Sequence, residues 1–214
     1  MLKSNLSFDF TKLEKLGKLS FFCICGILLL LVAAGGYLVW FFYIRAVPLP
    51  PEVRNIVPFL RHGDIIMRSG VGLWSELFRE YNRHDKRFSH VGIVIVRDGR
   101  FFVLHSEGDD ISGKGDVHLD TVDDFIGASS GIGISRLHTL DNEMLAENAL
   151  KYQGRKFDWK FNRKESTMLY CTELIDLALR ATAGGEAGLS VGEKDIIPVD
   201  SCLDVRYFIE ISLK

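Results

Sequence analysis

The stretch Ser89-His90-Val91-Gly92-Ile93-Val94-Ile95-Val96-Arg97-Asp98-Gly99-Arg100-Phe101-Phe102-Val103-Leu104-His105-Ser106 decides the fold. Val91 to Val96 and Phe101 to Ser106 are runs rich in β-branched and aromatic residues, and they flank Asp98-Gly99, a dipeptide that readily takes the positive φ angles of a type I′ turn. A two-residue turn there sets Arg97 opposite Arg100. The same register then puts Gly92 opposite His105 and His90 opposite Glu107. Side chains alternate along a strand, so His90, Gly92, His105 and Glu107 share one face. Opposed Cβ atoms lie about 5 Å apart and diagonal ones about 7–8 Å, which brings both His105 and Glu107 within reach of His90. Polar groups gathered on an otherwise apolar hairpin are costly to bury without partners, and this marks a candidate site; the plain alternative is a solvated face.

Outward from the hairpin, Asp64-Ile65-Ile66-Met67 reads as an earlier strand, and Val117 to Leu119 and Gly133 to Ser135 read as weaker ones. Leu73, Trp74, Leu77, Phe78 and Tyr81 have the spacing of an amphipathic helix. Asp141 to Tyr152 reads as a second helix, capped by Asp141 and ending near Gly154. A third starts near Cys171, carries Leu174, Leu177, Ala178 and Ala181 on one face, and ends by Gly184-Gly185.

The 214 residues allow one domain plus an appendage, and part of the 47% hydrophobic content is concentrated near the N-terminus. Leu19 to Ile44 carries no charge, long enough for a bilayer that requires about 20 apolar residues. It exceeds the apolar core of a cleaved signal peptide. Lys3, Lys12, Lys15 and Lys18 precede it, against Arg45 and Arg54 after it, which predicts a cytoplasmic N-terminus and a periplasmic or otherwise extracytoplasmic domain. The expected organisation is a cytoplasmic segment at 1–18, a transmembrane anchor at 19–44, a Pro-rich spacer at 45–51 and a folded domain at 52–214. Of 26 basic and 28 acidic residues, five and two fall at or before Arg45, which leaves 21 against 26, or net −5, and no electrostatic reason to expect nucleic acid.

Cys23 and Cys25 fall inside the apolar span, so only Cys171 and Cys202 remain for the domain. A Cys at a helix start lies at the positive end of the dipole, which favours thiolate, and an imidazole nearby can take its proton. The expectation is a Cys171 thiolate well below pH 8.5. A Cys171–Cys202 disulfide is the structural alternative. Zinc is a further rival, with donors in His90, His105, Glu107 and Cys171; no HxxxH or CxxC pair supports it, so no metal and no cofactor are expected. His62, His84, His118 and His138 read as surface residues.

Together with that hairpin, the fragments Gly63-Asp64-Ile65-Ile66, Phe88-Ser89-His90-Val91-Gly92-Ile93, Val103-Leu104-His105-Ser106, Gly154-Arg155-Lys156-Phe157-Asp158, Leu169-Tyr170-Cys171-Thr172-Glu173-Leu174 and Ile197-Pro198-Val199-Asp200 resemble the YiiX/YebB-type permuted papain-fold hydrolases. These are relatives of the NlpC-type cysteine peptidases in which the His-bearing strands precede the Cys helix. The resemblance implies an α+β, circularly permuted papain-like domain with an antiparallel sheet. It also implies Cys171 as nucleophile, His90 as general base and a third polar residue on the next strand. Many relatives have Glu where this chain has His105; the family pattern points to His105 as the orienting residue, and the idealised register to Glu107. The oxyanion hole would include the Cys171 backbone N–H, with Tyr170 as an auxiliary, and Asp158 reads as structural. The implied activity is amide hydrolysis through a thioester, with a cell-wall peptide as leading substrate. An acyl-lipid thioesterase or acyltransferase of the same fold, or a non-catalytic anchored binding module, is the alternative.

Overall fold

The computed structural model describes residues 10–40, 54–109, 112–127, 129–165 and 167–213. The chain divides into two compact units, Met1–Arg45 and Ala46–Lys214. The first contains helix α1 (Phe10–Val39), whose Leu29, Leu30, Leu31 and Val32 are all exposed. Among the described residues no helix is long and apolar enough to cross a membrane. This departs from the expected span of Leu19 to Ile44, of which Phe41 to Ile44 lie outside the described residues, as does the spacer at 45–51.

In the second unit the described residues form one eight-stranded sheet, in the order β7-β6-β4-β3-β2-β1-β5-β8. Its strands are β1 (Ile65–Gly70), β2 (His90–Arg97), β3 (Arg100–Asp109), β4 (Lys114–Thr121), β5 (Ser129–Leu137), β6 (Lys156–Phe157), β7 (Met168–Leu169) and β8 (Phe208–Glu210). Neighbours are antiparallel except β6 and β7. Helix α2 (Leu73–Tyr81) has the bounds that its apolar spacing predicts. In α4 (Asn142–Leu150) the Asp141 carboxylate caps the first turn, accepting from the Glu143 and Met144 N–H groups at 2.8 and 3.3 Å. Helix α5 (Cys171–Thr182) starts at the nucleophile candidate and is followed by Gly184 and Gly185 at φ 65° and 92°.

Period-2 alternation gives the sheet two apolar faces. Ile65, Met67, Val91, Ile93 and Leu104 pack under α4 and α5 with Leu145, Leu174 and Ile175. Ile66, Val94, Val103 and Ile134 face the other way, under α3 (Val122–Gly127) with Phe125 and Ile126. The sequence pattern gave no signal for α3. Phe125 is wholly buried, which contributes about 2–3 kcal/mol. The strand at Asp64 is fixed by charge: the buried Asp64 carboxylate pairs with Arg136 at 2.6 Å and accepts the Arg61 N–H at 2.7 Å. A buried charge is tolerated only with such partners.

Candidate active site

Asp98 and Gly99 both have positive φ, 50° and 71°, and Arg97 faces Arg100, as the type I′ turn requires. The β2–β3 ladder, however, ends at Ile93 opposite Leu104. Beyond that pair the strands part, and the groups of interest lie around the fork. His90 and His105 meet diagonally there, His90 Nε2 to His105 Nδ1 at 2.9 Å. Gly92 permits this approach: a Cβ at that position would lie 2.4 Å from a Val103 methyl and 3.0 Å from the His105 Cβ.

His105 is wholly buried, and its other ring nitrogen lies 3.1 Å from Asp120 Oδ2 on β4, where His105 and His118 are directly paired. Phe125 packs against both rings, with centroids 5.7 Å from His90 and 5.1 Å from His105. Glu107 is ion-paired with Arg68, whose guanidinium also donates to the Phe125 carbonyl at 2.8 Å and lies over its ring. Glu107 comes no nearer than 3.8 Å to His105 Nδ1. The structure therefore brings His105, not Glu107, into hydrogen-bond contact with His90.

The acceptor at the end of this chain fixes its protons. Burial, followed by the Arg68 charge, holds both imidazoles well below the usual histidine range, so both rings are neutral near pH 7. A carboxylate only accepts, so His105 carries its proton on Nε2 and accepts at Nδ1. His90 then carries its proton on Nε2, and its Nδ1 is left as a lone pair able to act as a base.

The start of α5 is pinned from three sides. Ser106 Oγ donates to the Leu169 carbonyl at 2.5 Å, Thr172 Oγ1 to the Ile197 carbonyl at 2.7 Å, and the Ile197 N–H to the Tyr170 phenol at 3.1 Å. Tyr170 is thus an interior residue, its ring 5.3 Å from Phe161, with its hydroxyl directed at Ile197. Glu173, in the first turn of α5, accepts the Tyr170 N–H; burial and the nearby Asp158 raise its carboxyl to about 7. Asp158 is buried and caps its own loop, accepting the N–H groups of Lys160 and Asn162 at 2.9 and 2.5 Å.

The Cys171 thiol lies against the Val91 N–H, the peptide that joins it to His90, on the side of the sheet that α5 covers. Among the described residues no hydrogen bond joins the thiol to His90. Burial pushes the thiol up to about 11, although the N–H groups of Val91, Thr172 and Cys171 pull the other way. Desolvation therefore outweighs the helix terminus, contrary to the expected low-pH thiolate. Cys171 and Cys202 are both free, so the disulfide alternative is not formed.

Sequence reasoning missed Asp120; His118, read as a surface residue, is 38% exposed at its side chain. The donor atoms of His105, Glu107, His118 and Asp120 all lie within 4.8 Å of one another. The zinc set weighed from sequence shares only His105 and Glu107 with this group. A signal did exist, since a strand pairing His105 with His118 also brings Asp120 to the same face; the turn that sets this register, between Asp109 and Lys114, has no short motif.

The fold is shared with a solved structure described as the metalloprotein YiiX from Escherichia coli O157:H7, with a TM-score of 0.57 at 16% identity over 71% of this chain and 96% of that one. No curated protein matches the chain. The family model of the permuted papain-like amidase enzymes, YaeF/YiiX, C92 family, matches residues 60–194 and takes in His90, His105, Asp120 and Cys171. The chain belongs to this C92 family of permuted papain-like amidases, and is an enzyme of the amidase and peptidase type.

Proposed function

We propose that the chain is a cysteine amidase in which Cys171 attacks the substrate carbonyl, His90 is the general base and acid, and His105 orients His90. The observation that carries this reading is the run Asp120–His105–His90, joined at 3.1 and 2.9 Å, which leaves His90 Nδ1 as a lone pair, with the Cys171 thiol at the N–H of the next residue, Val91. With both groups neutral, His90 takes the thiol proton as sulfur attacks, and no preformed ion pair is needed. The amine leaves with the proton from His90, and the thioester on Cys171 is then hydrolysed by water that His90 deprotonates. The Cys171 N–H at the helix start is the oxyanion donor. Asp120 acts through His105 as a positioning residue.

The exposed apolar side chains of α1 support an anchor role for the first unit, with the domain at 52–214 displayed outside the cytoplasm and a short spacer between them. In that compartment a cell-wall peptide is the leading substrate. One observation favours an acyl-lipid substrate as the second reading. Exposed Trp74 stacks on Phe78, which packs on Phe161, so an apolar patch that begins on α2 reaches the ring covering buried Tyr170, the residue before Cys171.

The test is trapping of the acyl-enzyme on the full chain, read by mass spectrometry with peptide amides and acyl thioesters as probes. Cys171→Ala is expected to lose the adduct and at least about 10³-fold in turnover. Cys202→Ala is expected to retain both. Turnover that survives Cys171→Ala overturns the reading.

A further inference from the structure

We infer that His105, His118 and Asp120 form a site for a zinc-like divalent ion, with Glu107 beside it, and that the bound ion switches the hydrolase off. The inference rests on the proposed roles of Cys171 and His90 for its second half only. Strands β3 and β4 pair His105 directly with His118, and Asp120 follows two residues on, so the three side chains share a face by register. His118 Nδ1 lies 3.0 Å from Asp116 Oδ1 and 3.1 Å from the Asp116 carbonyl. Two acceptors on one nitrogen require the proton there, so neutral His118 has its lone pair on Nε2. That lone pair faces Asp120 Oδ1 at 3.7 Å.

The Nε2 atom of His118 and the Asp120 carboxylate therefore converge, and His105 Nε2 is 3.1 Å from the same carboxylate. A cation resolves the arrangement. Asp116 orients His118 as carboxylates orient metal-binding histidines generally. Two imidazoles and a carboxylate suit zinc better than magnesium or calcium, which prefer all-oxygen sets. Ligands about 2.1 Å from a tetrahedral centre stand about 3.4 Å apart, so donors within 4.8 Å need only small side-chain shifts. His118 is 38% exposed, which gives the ion a way in.

The switch follows from the protons. An ion on His105 Nε2 displaces the proton held there to solvent, and the neutral ring then carries its proton on Nδ1. The proton between the rings passes from His90 Nε2 to His105 Nδ1, and His90 takes one proton from solvent at Nδ1. Each ring still holds one proton, but the nitrogen that must accept from Cys171 is now occupied.

The experiment is zinc titration of the purified full chain, with binding followed by calorimetry, cobalt followed by its visible spectrum, and amide hydrolysis measured in parallel. One equivalent is expected to bind with at least a tenfold loss of turnover that a chelator reverses. His118→Ala is expected to keep its metal-free turnover while binding at least tenfold more weakly and resisting inhibition. Asp116→Ala, which leaves all the ligands in place, is expected to weaken binding severalfold. Cys171→Ala is expected to bind zinc as tightly as the unsubstituted chain. Absence of binding, binding unchanged in His118→Ala, loss of binding in Cys171→Ala, or occupancy without inhibition each overturns the inference. Metal-free turnover that survives Cys171→Ala would instead break the proposed function, and calorimetry would still decide the metal site.

Discussion

Strand β3 belongs to two hairpins that are built differently. With β2 it closes through a tight two-residue turn, yet the ladder stops after five pairs, at Ile93 and Leu104. With β4 it is joined through a longer connection, residues 110–113, yet stays paired at eight positions, from Asp109 and Lys114 through His105 and His118 to Phe102 and Thr121. The open end of the first hairpin has His90 and the Cys171 thiol on either side of one peptide. The regular ladder of the second holds the carboxylate that sets the histidine protons. The groups proposed to react sit where backbone pairing ends, and the carboxylate proposed to position them sits where pairing persists.

The first way to break this comparison is to remove one group from each hairpin. His90→Ala is expected to lower turnover by about 10³-fold or more, within the range of general acid–base catalysis. Asp120→Asn keeps the shape but can present a donor, and is expected to cost about 10–100-fold, with Glu107→Gln costing less than either. Initial rates on one amide substrate measure all three. Equal losses at Asp120 and Glu107 would erase the distinction drawn between them.

Alkylation of Cys171 sharpens the same point. With the thiol at about 11, the thiolate fraction rises about tenfold per pH unit between pH 7 and 10, and the iodoacetamide rate is expected to follow it. A rate already level below pH 8 would show that the helix terminus, not burial, governs the sulfur. The smallest effects are in the turns. Gly99 and Gly113 have φ of 71° and 65°, and a Cβ at either would meet no neighbouring atom. Each Gly→Ala substitution is expected to cost about 1 kcal/mol in denaturant unfolding from backbone strain alone, with turnover unchanged.

The sequence made the first hairpin legible because Asp98-Gly99 specifies a turn, and the turn specifies a register. It made α2, α4 and α5 legible because apolar spacing, the Asp141 cap and the glycines after α5 agree. The family pattern pointed to His105 as the orienting residue and the ideal register to Glu107; at the fork His90 meets His105 diagonally and Arg68 engages Glu107. Asp120, His118 and α3 were not legible. Their placement depends on a turn without a short motif and on a helix too brief to show a period. The low thiolate expected at Cys171 meets an opposing cause that the sequence does not display: the N–H groups at a helix start are a local feature, whereas the desolvation that pushes the thiol up comes from the whole fold.

Asn82 and Asp200 hold the entry to β2 from opposite ends of the chain. The Asn82 amide donates to the carbonyls of Asp85 and Phe88 and accepts from the Val199 N–H, and the Asp200 carboxylate gathers the N–H groups of Arg83, His84 and Asp85. During synthesis the strands bearing the histidines leave the ribosome first and helix α5 follows, but the loop leading into His90 gains the restraints from Val199 and Asp200 only when residues near 200 emerge. A chain still short of residue 200 therefore carries His90 and Cys171 without the clasp that fixes the loop leading into one of them.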